Sequence, residues 1–172
     1  LEDENVKVIL VDPANRKWVG TNNGLFLISA DGLKTISYFN VDNSPLISNK
    51  IRSLAFEPNS GDLYIGTDKG IISYRTDATL TEAGKGEVFV YPNPVRPDYQ
   101  GPIAVKGLPN NAEVKITDIN GSLVYQTTAN GGQAIWDGNL LSGERAATGV
   151  YLVFALDGTG KEKAITKFVL IH

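Results

Sequence analysis

The sequence contains one internal repeat, and this repeat constrains the possible fold more than any other feature. Residues 6–26 read VKVILVDPANRKWVGTNNGLF, and residues 51–72 read IRSLAFEPNSGDLYIGTDKGII. Gly20 and Gly66 are equivalent and lie 46 positions apart, with one extra residue before Gly61 in the second copy. Repeats of about 40 to 50 residues, each with several short strands, are typical of β-propeller blades. The sequence therefore predicts two propeller-like units.

Each copy combines short apolar runs with turn chemistry. In the first copy, a β-branched run is followed by DPAN at residues 12–15, where proline fixes φ and polar side chains can bond their own backbone. Gly24 can adopt the positive φ that a later turn requires. Trp18 and Tyr64 occupy equivalent positions, and we interpret both as core residues. The strands predicted for the first copy are residues 6–11, 17–19, 25–28 and 35–39.

The two segments WVGTNNGL and YIGTDKGI resemble the two-component regulator propeller repeat. The resemblance covers about residues 5–77 and assigns structural roles to a shared set of positions. A blade cannot bury both of its faces alone, and three or more units are normally needed. Residues 1–77 are therefore predicted to form an incomplete β-propeller of about two blades. The positions that carry the motif are Trp18, Gly20, Thr21, Gly24, Tyr64, Gly66, Thr67 and Gly70.

The second half has a different pattern, which begins after a polar, glycine-containing segment at residues 78–87 that we interpret as a linker. Residues 112–118 alternate between apolar and polar side chains, and Asn120-Gly121 is a strong hairpin signal. About seven short strands follow one another between residues 88 and 172. This spacing predicts an antiparallel β-sandwich.

Residues 88–172 resemble the C-terminal domain used by the type IX secretion system of the Bacteroidetes. The matching segments are VYPNP (90–94), VKITDINGSLVY (114–125), ATGVYLV (147–153) and KFVLIH (167–172). The same region is similar to the immunoglobulin-like domain of flagellar hook-capping proteins. That similarity rests on WDG at residues 136–138, Gly143 and GVY at residues 149–151. We expect structural roles for Trp136, Asp137, Gly138, Gly149 and Tyr151. The chain as a whole is thus predicted to be all-β: a partial β-propeller followed by an Ig-like β-sandwich.

Two segments of the second half are candidate recognition elements. The first is Tyr91-Pro92-Asn93-Pro94, which a secretion partner could read, although a rigid start to the domain explains the same residues. The second is the last strand, with Lys167, Phe168 and Val169, because a terminal strand can pair with a partner along its edge. An ordinary sandwich strand, with its edge blunted by Lys161, Lys163 and Lys167, explains it equally well.

Composition argues against most catalytic and ligand-binding chemistry. The chain has no cysteine, its net charge is −3, and its one histidine is the terminal His172. We therefore expect no enzyme activity, cofactor, metal or nucleic acid partner. Asp12, Glu57 and Asp62 could suggest calcium, but they lack the spacing of known calcium loops and are better explained as turn caps. No run is long and apolar enough for a membrane helix, and LEDENV at the start is not a signal peptide.

The order of the two halves resembles a surface component of the type IX secretion machinery. The resemblance implies secretion across the outer membrane to the cell surface, with passage through the periplasm. It also implies secretion-machinery proteins and surface lipopolysaccharide as partners. Two other functions remain open at this point: a secreted cargo protein whose C-terminal domain is a sorting signal, and the periplasmic sensor region of a hybrid two-component regulator.

Overall fold

The structure is a computed structural model, and it describes residues 4–81, 88–156 and 162–171. Every regular element in these ranges is a β-strand, which confirms the all-β prediction. The chain divides into two compact units, Leu1–Leu80 and Thr81–His172. The division falls inside the segment interpreted as a linker. Residues 82–87 of that segment, Lys161, the side chain of Lys163, and His172 lie outside what the structure describes.

The first unit contains two antiparallel sheets, one for each copy of the repeat. The first sheet has the order β1-β2-β3-β4, and the second has the order β5-β6-β7. Both are meanders in which consecutive strands pair. The strands are β1 (Val6–Val11), β2 (Lys17–Thr21), β3 (Leu25–Ile28), β4 (Thr35–Phe39), β5 (Ile51–Glu57), β6 (Asp62–Thr67) and β7 (Gly70–Arg75).

A single apolar core lies between these two sheets. Trp18 and Leu25 of the first sheet and Leu63 of the second are almost completely buried in it. The Trp18 ring contacts Phe39 and Tyr74, at centroid distances of 6.1 and 6.0 Å. Close approach is possible because β2 carries a glycine at its contact with β5. A Cβ at Gly20 would lie only 2.6 Å from the Ile51 side chain.

The prediction that Tyr64 is a core residue like Trp18 is wrong. Its side chain is 45% exposed, whereas Trp18 is 1% exposed. The reason is geometric, because successive side chains of a strand point to opposite faces of the sheet. Leu63 and Ile65 point from β6 toward the first sheet, so Tyr64 between them points away from it. Equivalence in the repeat therefore preserves the direction of the side chain but not its burial.

The threonine of the GTxxG motif closes the same turn in both copies. Thr21 donates its hydroxyl to the Gly24 carbonyl at 3.1 Å, and Thr67 does the same to Gly70 at 2.9 Å. Each threonine oxygen also accepts a backbone N–H from inside the turn. Gly24 and Gly70 have φ values of +143° and +134°, which only glycine adopts without strain.

A buried ionic cluster fixes the turn after β1. The Asp12 carboxylate accepts N–H groups from Ala14 and Arg16 and the Trp18 indole N–H. The Arg16 guanidinium contacts Asp12 at 2.8 Å and Asp77, beyond β7, at 2.7 Å. Burial alone would lower the pKa of Arg16, but its bonds and attraction to Asp77 and Asp12 outweigh burial and raise that pKa. The cluster thus ties the end of the second sheet to the first.

The proposed turn-capping role is confirmed for Asp12 and Glu57. Glu57 accepts the backbone N–H of Ser60 at 2.5 Å, and this bond is the main cause of its lowered pKa. Asp62 has a different role, since it pairs with Arg75 across the β6–β7 hairpin.

The second unit has two antiparallel sheets that enclose a second core. One has the order β11-β10-β13-β14, and the other has the order β12-β9-β8. The hairpin predicted at Asn120-Gly121 is confirmed: it joins β10 to β11, and Gly121 has a φ of +85°. The strands are β8 (Phe89–Tyr91), β9 (Ile103–Lys106), β10 (Glu113–Asp118), β11 (Leu123–Thr128), β12 (Gln133–Trp136), β13 (Gly149–Leu156) and β14 (Glu162–Leu170).

The ionic cluster generates a stability prediction. Replacing Arg16 with alanine leaves the fully buried Asp12 carboxylate without its counter-charge, and we expect the free energy of unfolding to fall by about 3 kcal/mol. Asp77→Ala is the matched comparison. The Asp77 side chain is 44% exposed, so its loss should cost no more than about 1 kcal/mol. Urea denaturation of both variants measures the difference, and equal losses would contradict the assignment.

Candidate recognition site in the second unit

The two candidate recognition segments of the sequence lie against each other in the structure. After β8, the chain passes through Pro92 and runs beside β14. Val95 forms a parallel bridge with Leu170. Residues 93–95, here called the edge strap, therefore act as a very short extra strand on the outer edge of β14. The peptide bonds Tyr91-Pro92, just before the edge strap, and Asn93-Pro94, within it, are both cis.

Four hydrogen bonds hold the edge strap in place. Val95 donates its N–H to the Val169 carbonyl at 2.8 Å and accepts the Ile171 N–H at 3.0 Å. The Asn93 side chain supplies the other two: its amide donates to the Lys167 carbonyl at 3.3 Å, and its oxygen accepts the Val169 N–H at 3.1 Å. Asn93 thus bonds β14 as a neighbouring strand would, with a side-chain amide in place of a peptide group.

The edge strap also contributes to the core. The Val95 side chain is 1% exposed and belongs to the same buried cluster as Phe168 and Leu170. Sequence reasoning did not single out Val95, although it directly follows the YPNP motif. Its apolar side chain, directly after two closely spaced prolines, could have indicated burial. Nothing in the local sequence indicates which strand Val95 contacts.

The members of the predicted set differ in accessibility. Tyr91 is 65% exposed and Val169 is 37% exposed, and Asn93, Pro94 and Lys167 are also exposed, while Pro92 is half-buried. Phe168 is 1% exposed. A partner can therefore reach Lys167 and Val169 on the folded domain but cannot reach Phe168 between them, because alternate side chains of β14 point inward.

Phe168 is held by a cluster of aromatic rings. Its centroid lies 5.8 Å from Trp136 and 5.6 Å from Tyr151, distances at which aromatic rings attract one another. The Tyr151 hydroxyl donates to the Ala147 carbonyl at 2.7 Å, and burial raises the pKa of this tyrosine. The last strand is therefore an integral part of the domain core.

The Trp136-Asp137-Gly138 motif lies in this core and the turn beside it. Trp136 is 1% exposed, and its indole N–H donates to the Asn139 carbonyl at 2.7 Å. Asp137 accepts the Asn139 N–H, and Gly138 has a φ of +84°. Gly149 begins β13, the strand that carries Tyr151.

The arrangement favours recognition through side chains. The edge strap already uses the backbone groups of Lys167 and Val169 in β14 and of Ile171 just after it, so added pairing along that stretch requires displacement of the strap. The described residues contain no group of three or more histidine, cysteine, aspartate or glutamate residues placed to hold a metal ion. Within the same ranges, no helix is long and apolar enough to cross a membrane.

The edge strap yields a prediction about Asn93. Replacing it with alanine removes both side-chain bonds to β14, so the Val169 amide should exchange with solvent faster and the free energy of unfolding should fall by about 1 kcal/mol. Asn93→Asp is the matched control, because it retains the oxygen that accepts the Val169 N–H. Amide exchange followed by NMR tests both variants. An unchanged Val169 rate in the alanine variant would show that Asn93 does not hold this edge.

The second unit matches a known sequence family. Residues 89–171 match the family model described as a secretion system C-terminal sorting domain. No curated protein is similar enough in sequence to count as a match.

One solved structure is similar over almost the whole chain. It is described as PorZ, an essential bacterial surface component of the type IX secretion system of Porphyromonas gingivalis, with 40% identity and a TM-score of 0.63. The match covers 98% of this chain and 23% of the PorZ chain.

A second similar structure is the extracellular domain of the putative one component system BT4673 from B. thetaiotaomicron, with 14% identity. The match covers 99% of this chain and 26% of the BT4673 chain. Its TM-score of 0.36 is too low to indicate a shared fold. The sorting-domain match and the 40% identity together link the chain to the type IX secretion system. The chain is similar to PorZ, and residues 89–171 match the family of secretion system C-terminal sorting domains.

Proposed function

We propose that this chain is part of a non-enzymatic component of the cell-surface type IX secretion and attachment machinery, and that its C-terminal domain mediates export and surface assembly. The observation that carries the proposal is the second unit: its sorting-domain sequence folds with the terminal strand built into the core and fastened by the edge strap. A domain of this kind can present a defined surface to a partner while it remains folded.

For the fold, the proposal goes further than the all-β class. We infer that the first unit is two neighbouring blades of a larger β-propeller and that the second is an Ig-like sandwich. The repeat of 46 residues and the two meandering sheets support the first inference. The order of strands and the buried Trp136 support the second.

The contact surface that we propose consists of the accessible members of the candidate set, namely Tyr91, Asn93, Pro94, Lys167 and Val169. The pairing of β8 with β9 and the hydrogen bonds between the edge strap and the last strand hold these residues in place, which lowers the cost of ordering them for a partner. The proposed partners are proteins of the secretion machinery. Surface lipopolysaccharide follows from the family resemblance alone, and no residue of this chain is assigned to it.

Removal of residues 88–172 from the full-length protein tests the proposal. We expect loss of the protein from the cell surface, measured by labelling of intact cells with antibody, because the exported protein then lacks the surface that the machinery reads. Leu141→Ser, at a position that is 64% exposed, is a control that should leave display unchanged. Normal display without the C-terminal domain would refute the proposed role.

A cargo protein is the second candidate, and the sorting-domain match supports it specifically. In a cargo protein the C-terminal domain would be removed after export, whereas a machinery component would retain it. Intact-mass measurement of the mature surface protein separates these functions. We expect a mass that includes residues 88–172.

A further inference from the structure

The backbone groups beneath the edge strap are arranged symmetrically about Val169. Val169 directs both its N–H and its C=O toward the strap. On either side of it, the strap binds the carbonyl of Lys167 and the N–H of Ile171. Two donors and two acceptors therefore point outward from this edge, with Val169 at their centre. An apolar strand edge of this kind is one that can pair with another chain when it is uncovered.

An antiparallel second copy of β14 matches this set of groups. In a hydrogen-bonded pair of antiparallel strands, the two opposite residues exchange both of their N–H···O=C bonds. If Val169 of one copy lies opposite Val169 of another, these two residues form two bonds. The same register brings the Ile171 N–H of each copy to the Lys167 carbonyl of the other, which adds two more. Every group that the strap binds is then satisfied, and the contact has the two-fold symmetry that is usual in homodimers.

The side chains across such a pairing are compatible. Lys167 would lie opposite Ile171 of the other copy, so the register brings no like charges face to face. Within each copy, Val169 already lies opposite Val150 of β13, and these valines are 37% and 40% exposed. Pairing of the two copies would extend them into a row of four valines and remove apolar surface from water. A second copy therefore fits this edge in both its backbone and its side chains.

The edge strap blocks this pairing in the folded chain. A segment tethered within the same polypeptide has an effective concentration on the order of millimolar, so a second copy at micromolar concentration competes poorly with it. Displacement of the strap also withdraws Val95, which is 1% exposed, from the core. Removal of a buried side chain leaves a cavity and is unfavourable. The closed form is therefore favoured, and pairing requires the straps of both copies to open.

We propose that the edge strap is an autoinhibitory contact, which keeps the chain from associating with a second copy of itself through antiparallel β14–β14 pairing centred on Val169. Asn93 supplies two of the four strap bonds with its side chain, so this residue sets much of the barrier to opening. The inference does not rest on the proposed export function, because self-association of the isolated chain can be measured without secretion.

Disulfide trapping tests the inference, since the chain has no native cysteine. Opposite Cα atoms in a hydrogen-bonded antiparallel pair lie about 5.5 Å apart, a distance that a disulfide spans. Val169→Cys should therefore form a covalent dimer under mild oxidation, at a rate that follows the population of paired molecules. Asn93→Ala should weaken each strap about fivefold, and because both straps must open, it should accelerate trapping about 25-fold.

Leu123→Cys is the matched control for this experiment. Leu123 is similarly exposed, at 46%, but it lies on β11 at the opposite edge of the same sheet. Its trapping should be slow and should not respond to Asn93→Ala. Equal rates for Val169→Cys and Leu123→Cys would overturn the inference, as would a Val169→Cys rate that Asn93→Ala leaves unchanged.

The register provides a second readout, which uses the native strap and so does not depend on how well an Asn93 variant folds. A mixture of Lys167→Cys and Ile171→Cys chains should give mainly the mixed dimer, because the two-fold symmetry places these two residues opposite each other. Each variant alone should be trapped much more slowly. Faster trapping of either variant with itself than with the other would overturn pairing centred on Val169.

Discussion

The structure depends on one constraint: an apolar sheet must cover its inner face, and an apolar strand must pair both of its edges. The first unit meets the first requirement by placing its two sheets face to face around Trp18 and Leu63. The second unit meets both along β14, where Phe168 is buried against Trp136 and Tyr151 while residues 93–95 cover the outer edge. Two edges depart from this rule. The outer edge of β14 is covered by the short edge strap instead of a full strand, and no strand among the described residues pairs with the outer edge of β7.

The repeat predicted much of the first unit because its signals are local. Turn chemistry at Asp12 and the GTxxG segments fixed where strands begin and end, and these interactions span only a few residues. The same reasoning failed for Tyr64. A repeat in sequence specifies the direction in which a side chain points, whereas burial depends on whether another sheet lies in that direction. Trp18 faces the second sheet, and Tyr64 faces away from the first.

The candidate recognition site was predictable in its parts but not in its assembly. Short motifs identified YPNP and the last strand separately, since proline clusters and terminal strands each have a local signature. Their contact joins Asn93 to Val169, which are 76 positions apart. No periodicity or turn signal carries information over that separation. The inward direction of Phe168 could have been inferred from the alternation of strand side chains, had the neighbours of β14 been known.

The position of β14 limits how the C-terminal domain can be processed. A cut in this strand before Phe168 would remove Phe168 and Leu170, which are both buried, and would leave Trp136 and Val95 without these neighbours. The loss of several large buried side chains costs more than a domain of this size can tolerate. The strand therefore cannot be shed as a tail from a domain that stays folded. Either the whole unit remains attached to the protein or the whole unit is released.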